Sequence, residues 1–559
     1  MKQVPRPAAT LILLRDSAAG PEVFMQQRSQ SAVFIAGAYV FPGGGLDAAD
    51  GSERMRARLL GLSDEEASRR LHLPSGGLAY YAGAVRECFE EAGILFAVDE
   101  HGVAPDPAHI ARLSGERAAL NAGTLGFLEL LERERLCIPA DRMAYFSHWI
   151  TAPGRSRRYT TRFFVALAPH GQGGSHDHGE TVASAWIRPQ AALDRNAAGE
   201  IELVFPTRTT LVELARFATS AEAFAHAVTA QSDIETDAAC WATGKNGNKL
   251  FRRADPAYAE IHWSDAGETG ETTYDLVPGA PKRLDRYVTR IIAPNPGAMT
   301  GPGTNTYLVG DGELAVIDPG PDIASHVEAI VAAGAGRIRW ILATHTHQDH
   351  SPAAIALKAA TGAQVIGRPA PQGGSQDAGF APDRQPADGE RLDLGAVTLR
   401  AIATPGHASN HLCYLVEQTR MLFTGDHVMQ GSTVVINPPD GNMRTYLASL
   451  ERLLEDEYAI FAPGHGYLIG APAREVKKLI RHRLAREAKV VRSLAQLGRA
   501  TPEELVRTVY DDVQERLHPV ALRSLAAHLD KLAADGRAHC LDGAWGLVDS
   551  RLANPGATG

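Results

Sequence analysis

Six consecutive residues constrain this chain more than any other stretch of it: His345-Thr346-His347-Gln348-Asp349-His350, directly after the apolar run Ile338 to Ala343, which reads as a buried strand. Four potential metal ligands so close together are hard to explain as packing. Imidazoles and a carboxylate suit Zn²⁺ or Mn²⁺, and a loop at a strand's end can aim His345 and His347 at one ion and Asp349 and His350 at its neighbour. Three more ligand candidates each sit in a turn after a strand pattern: His407 in TPGHASNH, Asp426 in FTGDH and His465 in APGHG. The glycines beside them let the backbone approach closely.

The chain has 559 residues, enough for about three or four domains. A hydrophobic fraction of 44% excludes a mostly disordered chain, a collagen and a coiled-coil rod. Lys and Arg total 56 against 65 Asp and Glu, so the net charge of −9 argues against a surface wholly devoted to nucleic acid. Five scattered cysteines (Cys88, Cys137, Cys240, Cys413, Cys540) make neither a disulfide framework nor a cysteine zinc module. The opening residues lack a signal peptide's apolar core, and no stretch approaches the ~18 apolar residues of a membrane span. The expectation is a cytoplasmic protein that crosses no membrane; its oligomeric state is left open.

No internal repeat is present, so different domains in tandem are expected. Residues 1–225 mix strand-like runs (ATLILL, TRFFVALA, SAWIRP) with helical patterns over Ala82 to Gly93 and Ala183 to Ala192, an α+β unit. Residues 226–285, rich in Gly, Thr, Asp and Asn, read as a linker with a few short strands. Residues 286–472 form a second α/β unit, with strands TNTYLVG, ELAVID, IRWILAT and CYLVE and a helix from Ser351 to Thr361. Residues 473–559 outline a winged helix: helical patterns followed by a Gly-turned hairpin.

Between Arg474 and Arg499 nine Lys and Arg face only Glu475 and Glu487, a local charge of +7. Such a helix can neutralise phosphates, which makes RNA a candidate partner. Val476, Leu479, Ile480, Leu484, Val490 and Val491 recur at helical spacing, so one face packs inward and the charges can equally be its solvated side.

In the first unit, Glu87, Glu90 and Glu91 fall at i, i+3 and i+4 on one helix face, with Arg86 spaced to bond Glu90 and Gly93 ending the helix. Three carboxylates on one side suit an oxygen-preferring Mg²⁺ (or Mn²⁺) that also binds substrate phosphates. The tract His176-Asp177-His178 reads as a polar loop.

The histidine run with its later His, Asp and His resembles the metallo-β-lactamase fold family over residues 286–472. The resemblance implies an αββα sandwich, one metal on His345, His347 and His407, a second on Asp349, His350 and His465, and Asp426 bridging. Asp349 is the candidate catalytic carboxylate. Asp318, in AVIDPG, is expected to orient a ligand from behind; Arg444, His411 and His427 are weighed as substrate or orienting residues. Two ions can acidify a shared water, so the implied chemistry is hydrolysis. The opening APNPGAMTGPGTNTYLVG, the segment IRHRLARE and the winged-helix tail resemble the lactamase-B-like branch that includes endoribonucleases; a glyoxalase-type thioesterase is the rival.

Arg86-Glu87 through Gly93, with Phe41-Pro42-Gly43-Gly44-Gly45 before it, resembles the Nudix box of an α/β/α sandwich hydrolase over about residues 8–220. That family expects Gly, five residues, Glu, seven residues, then Arg-Glu. Counting from Gly44 puts Asp50 at the glutamate and the arginine at 50 + 8 = 58, so 86 − 58 = 28 residues interrupt the box. An interrupted box resembles the branch that includes coenzyme A diphosphatases. It implies Mg²⁺ on Glu87, Glu90 and Glu91, with Glu87 and Glu180 as candidate catalytic carboxylates, Gly44 offering its carbonyl, and a small nucleotide-linked substrate. The two resemblances together imply a two-site hydrolase. The alternative is a regulator whose Nudix-like domain senses a nucleotide and whose winged helix binds nucleic acid.

Overall fold

The computed structural model describes residues 3–29, 37–175, 181–372 and 376–548. They divide into two compact units, Met1–Ala239 and Cys240–Gly559.

In the first unit the strand Arg6–Ser17 is the spine. Its apolar run is continuous because both of its faces are covered. Leu11 and Leu13 enter one core beneath the helix Leu78–Ala92, while Ile12 and Leu14 enter another beneath the helices Phe205–Leu214 and Ser220–Ala230. The sheet runs Thr181–Ile187, Gly20–Arg28, Arg6–Ser17, Tyr159–Leu167, Ala144–Ile150, Thr236–Ala238, giving the α/β/α sandwich the Nudix resemblance implies. Arg6–Ser17 pairs antiparallel with Gly20–Arg28 and parallel with Tyr159–Leu167.

The helical pattern over Ala183 to Ala192 is corrected. Thr181–Ile187 is a strand paired with Gly20–Arg28, and the helix Pro189–Ala197 begins only at Pro189, whose fixed φ suits a helix's first turn. Tertiary pairing decides: Trp186 packs edge-on against Phe24, centroids 5.3 Å apart.

The residues that interrupt the Nudix box fold into a compact excursion containing the helices Glu53–Arg56 and Asp64–Arg70. Asp64 accepts from the backbone N–H of Gly76 at 2.9 Å and of Leu78 at 3.0 Å, which returns the chain to the start of the glutamate helix.

The second unit stacks two sheets. One runs Lys282–Arg283, Val288–Ile292, Asn305–Val309, Leu314–Ile317, Ile338–Leu342, Gln364–Ile366; the other runs Arg391–Asp393, Thr398–Ala403, Leu412–Val416, Met421–Gly425, Ile460–Pro463. Tyr307, Ile317 and Leu342 from the first interlock with Leu399, Tyr414 and Phe423 from the second. Each such fully buried side chain contributes about 1.5–3 kcal/mol. The helices Ala324–Gly334 and Ala354–Thr361 cover one outer face, and Met443–Arg452 with Pro472–Leu497 cover the other, so the layers are αββα.

Residues 240–285 belong to this unit. They contribute the helix Tyr258–Ser264, from which the buried Glu260 accepts from Arg290 at 2.6 and 2.8 Å and from Lys282 at 2.6 Å. At the other end, the helices Pro502–Val509 and His518–Ala534 and a small sheet of Arg499–Ala500, Ala544–Leu547 and Ala538–Leu541 make the winged helix. The long helix Pro472–Leu497 serves both parts: Val476 and Leu479 enter the sandwich core, Val490 and Leu494 the winged-helix core. Among the described residues no helix is long and apolar enough to cross a membrane.

Candidate functional site

All seven ligand candidates of the second unit meet at the strand ends. The loop after Ile338–Leu342 carries His345 to His350, the turn after Thr398–Ala403 carries His407, and the ends of Met421–Gly425 and Ile460–Pro463 carry Asp426 and His465. Ligand atoms of His345, His347 and His407 lie within 4.8 Å of one another, as do those of Asp349, His350 and His465, and those of His345, His350 and Asp426. Asp426 stands between the groups, 3.4 Å from His465 Nε2, 3.5 Å from His350 Nε2 and 3.8 Å from His407 Nε2. Gly464 is required by this closeness. A Cβ there would come within 2.6 Å of Asp426 Oδ1 and 2.7 Å of His350 Cε1.

Four of the five histidines are oriented from behind. His350 Nδ1 donates to Asp318 Oδ2 at 2.9 Å, His407 Nδ1 to the Val435 carbonyl at 2.8 Å, and His465 Nδ1 to the Gly303 carbonyl at 3.2 Å. The Thr344 hydroxyl donates to Asp318 at 2.9 Å and therefore accepts from His345 Nδ1 at 3.0 Å. Each bond keeps a proton on Nδ1 and turns Nε2 toward the centre. Asp318 takes a left-handed backbone, φ 51°, while also accepting the Thr344 N–H at 2.7 Å, strain of the sort that collects at functional centres.

Bare nitrogens that converge need a cation. His345 Nε2 and His407 Nε2 approach His347 Nδ1 at 2.9 and 3.0 Å, and one proton at most can be shared among the three. His350 Nε2 and Asp426 Oδ1 are buried without a hydrogen-bonding partner among the described residues. Such orphaned groups are costly, and the mixed imidazole and carboxylate set fits a divalent ion of the zinc or manganese kind. Burial, reinforced by the neighbouring His350, His347 and His411 rings, pushes His345 well below its ordinary pKa. Burial also pulls on His350, but Asp349, Asp426 and Asp318 hold it above its ordinary value.

The other weighed residues stand apart. His411 stacks on His345 with centroids 5.0 Å apart and bonds Thr404 Oγ1; His427 packs against Tyr446; Arg444 pairs with Asp535 of the winged helix. Sequence reasoning missed Thr304, which donates to Asp349 at 3.4 Å, and Glu260, which accepts the Leu468 N–H at 3.1 Å close to His465. A lone threonine or glutamate carries no signal for such roles.

In the first unit, Arg86 sits at the centre of the glutamates. Its guanidinium donates to Glu87 at 3.0 Å, to Glu90 at 2.9 Å, to Asp50 at 3.0 Å and to the Gly45 carbonyl at 2.7 Å. Glu91 instead accepts the Gly43 N–H at 3.1 Å and the Gln26 amide at 3.4 Å. At Gly44 a Cβ would lie 2.6 Å from the Glu87 carboxylate, so a larger residue there would displace that side chain. Burial, with Glu90 and Asp50 adding to it against Arg86, pushes Glu87 up to about 7, a value at which a carboxyl can take up or release a proton near neutrality. An all-oxygen set suits Mg²⁺, though the three glutamates do not converge within 4.8 Å as the histidine groups do. Glu180 and the tract His176 to His178 lie outside the described residues.

Fold and site together define a hydrolase. Residues 299–465 match the model of the metallo-beta-lactamase superfamily, 501–545 that of the beta-lactamase associated winged helix domain, and 54–217 that of the NUDT19 Nudix domain. "Lactamase-like protein adaB" of Aspergillus niger is 30% identical over 298 residues, 50% of this chain and 90% of that protein. "Thioesterase pkgB" of Emericella nidulans is 33% identical over 242 residues, 43% of this chain and 68% of that protein. "Atrochrysone carboxyl ACP thioesterase" of Aspergillus chevalieri is 31% identical over 327 residues, 54% of this chain and all of that protein. The chain belongs to the metallo-beta-lactamase superfamily, with its sandwich fused between a Nudix domain and a winged helix.

Proposed function

We propose that the second unit hydrolyses thioesters of an acyl group on a carrier, using two divalent ions, Zn²⁺ or Mn²⁺: one held by His345, His347 and His407, the other by Asp349, His350 and His465, with Asp426 between them. The observation that carries the choice of bond is the similarity, at 31–33% identity, to two relatives named as thioesterases. When bound, the ions supply Lewis acidity at the carbonyl and an acidified water. The chain's own part is orientation. Asp318, Val435 and Gly303 each accept a hydrogen bond from one imidazole Nδ1–H, so the opposite nitrogens are turned to the centre. Asp349, 3.3 Å from His465 Nε2 and held by Thr304, is kept ionised against its burial, well below the usual carboxylate range, by His350 and His465, so it stands at the centre as a charged acceptor.

Part of the basic helix is engaged within the fold. Arg486 of the basic helix is buried and bonded to Asp512 at 2.7 Å, Lys489 lies 2.5 Å from Asp511, Lys478 lies 3.1 Å from Glu475, and Arg483 is buried against a carbonyl. Arg483 and Arg486 are thus taken up in packing and Lys489 is paired, while Arg474, Lys477, Lys478, Arg481, Arg492 and Arg499 stay exposed. The first unit is proposed as a Mg²⁺-dependent pyrophosphatase for a small nucleotide-linked substrate, with Glu87 and Glu90 on Arg86 as its core. The test is one panel: acyl thioesters of coenzyme A and of an acyl carrier protein, and RNA oligomers, with Zn²⁺ or Mn²⁺. Thioester cleavage is expected; RNA cleavage without thioester cleavage would overturn the assignment.

A further inference from the structure

Arg483 lies on the long helix Pro472–Leu497, beyond the residues matched to the superfamily model and before those matched to the winged helix. Its side chain is buried, 3% exposed, and among the described residues no carboxylate pairs with it. A buried cation without a counter-charge is costly, so whatever it holds matters. Its Nη2 donates to the Val434 carbonyl, its guanidinium lies over the Tyr446 ring at 5.5 Å, and Tyr446 in turn donates to the His427 carbonyl at 3.0 Å. One residue on from Val434, the Val435 carbonyl accepts the Nδ1–H of His407.

We infer that Arg483 is a positioning residue for the His345, His347 and His407 group: by pinning Val434 it sets the Val435 carbonyl, which fixes the His407 tautomer and aims Nε2 inward. This inference rests on the proposed role of His407 as a ligand. The carbonyl at 435 can orient His407 only if its peptide is held; no strand holds it, the Val434 and Ile436 side chains anchor the segment in the core, and the backbone carbonyl beside it is held by Arg483. The anchor comes from the helix that also packs into the winged-helix core through Val490 and Leu494. The guanidinium thereby joins the tail to the site, beside the packing of Val476 and Leu479 and the Arg444–Asp535 pair.

The experiment compares wild type, Arg483→Met, Arg483→Lys and His407→Ala as full chains, each stripped and titrated with Co²⁺, reading the visible absorption bands, chelator competition and thermal melting. Loss of an outer orienting bond typically weakens metal binding about 10–100-fold. Arg483→Met is expected to weaken one of the two ions by that factor and shift its bands while the other ion is kept, with partial recovery in Arg483→Lys. A folded Arg483→Met that binds both ions as wild type does overturns the inference if His407→Ala loses an ion. If His407→Ala also binds both, it is the ligand assignment that fails. Should Arg483→Met not fold, ¹⁵N spectra of the wild-type imidazoles decide: an Nδ1–H tautomer at His407 is expected, and an Nε2–H tautomer overturns the inference.

Discussion

Asp50 and Arg86, 36 positions apart and separated by the whole excursion that interrupts the Nudix box, are joined side chain to side chain at 3.0 Å in the interior of the first unit. The shorter carboxylate occupies the place where the family pattern expects glutamate, and the guanidinium it holds is the one that also binds Glu87 and Glu90. The interruption therefore leaves the glutamate helix supported from the glycine loop.

Asp50→Asn should remove that support. A buried guanidinium that loses a buried partner typically costs about 3–5 kcal/mol. The first unit is expected to melt earlier by an equivalent amount in denaturant titration, and diphosphate hydrolysis should fall with it. Unchanged stability would mean that Glu87 and Glu90 alone satisfy Arg86.

Asp318→Asn keeps the shape but removes the charge that faces His350 and turns one of the two oxygens that accept from Thr344 and His350 into an NH2 donor. Metal affinity in the second unit is expected to drop about 10–100-fold, read by chelator competition, with the fold retained by circular dichroism.

Gly464→Ala places a methyl where the Asp426 and His350 side chains already stand, at 2.6 and 2.7 Å. Neither can retreat without leaving the site. Metal stoichiometry and thioester hydrolysis are both expected to fall sharply, while Gly336→Ala, whose added methyl meets nothing, should cost only the strain of its left-handed φ of 73°.

Acid should unfold the metal-free chain early. Burial pushes His148 and His528 down to about 3 and His326 to about 4. An unfolded histidine takes up its proton near pH 6.5. Between that pH and the depressed folded values the unfolded state binds more protons. The part of the stability that rests on these three rings is therefore full above about pH 6.5 and is lost as the pH falls toward 4. Urea midpoints measured from pH 7.5 down to 5 should decline through this window. A flat profile would mean that these rings are not buried neutral.

The local features of the chain were legible. The αββα strands were marked by apolar runs, the glutamate helix by its spacing and its Gly93 stop, and the winged helix by its helices and Gly-turned hairpin. The seven ligand candidates were visible because four of them share one loop at a strand's end. What escaped was long-range pairing. Arg483 reads as one more charge on a basic helix until the fold brings it to Val434, 49 positions away. Glu260, in a weakly patterned stretch, meets Leu468 across 208 positions. The helix expected over Ala183 to Ala192 misjudged a segment whose first half is claimed by strand pairing.

The central claim is that the histidine and aspartate cluster holds two ions and cleaves a thioester. Metal analysis of the purified chain beside its His345→Ala and Asp426→Ala variants, with thioester hydrolysis measured on the same samples, tests it most directly. The account expects about two transition-metal ions per wild-type chain, and loss of metal and of thioester cleavage in both variants. Full metal content and undiminished cleavage in both variants would contradict it.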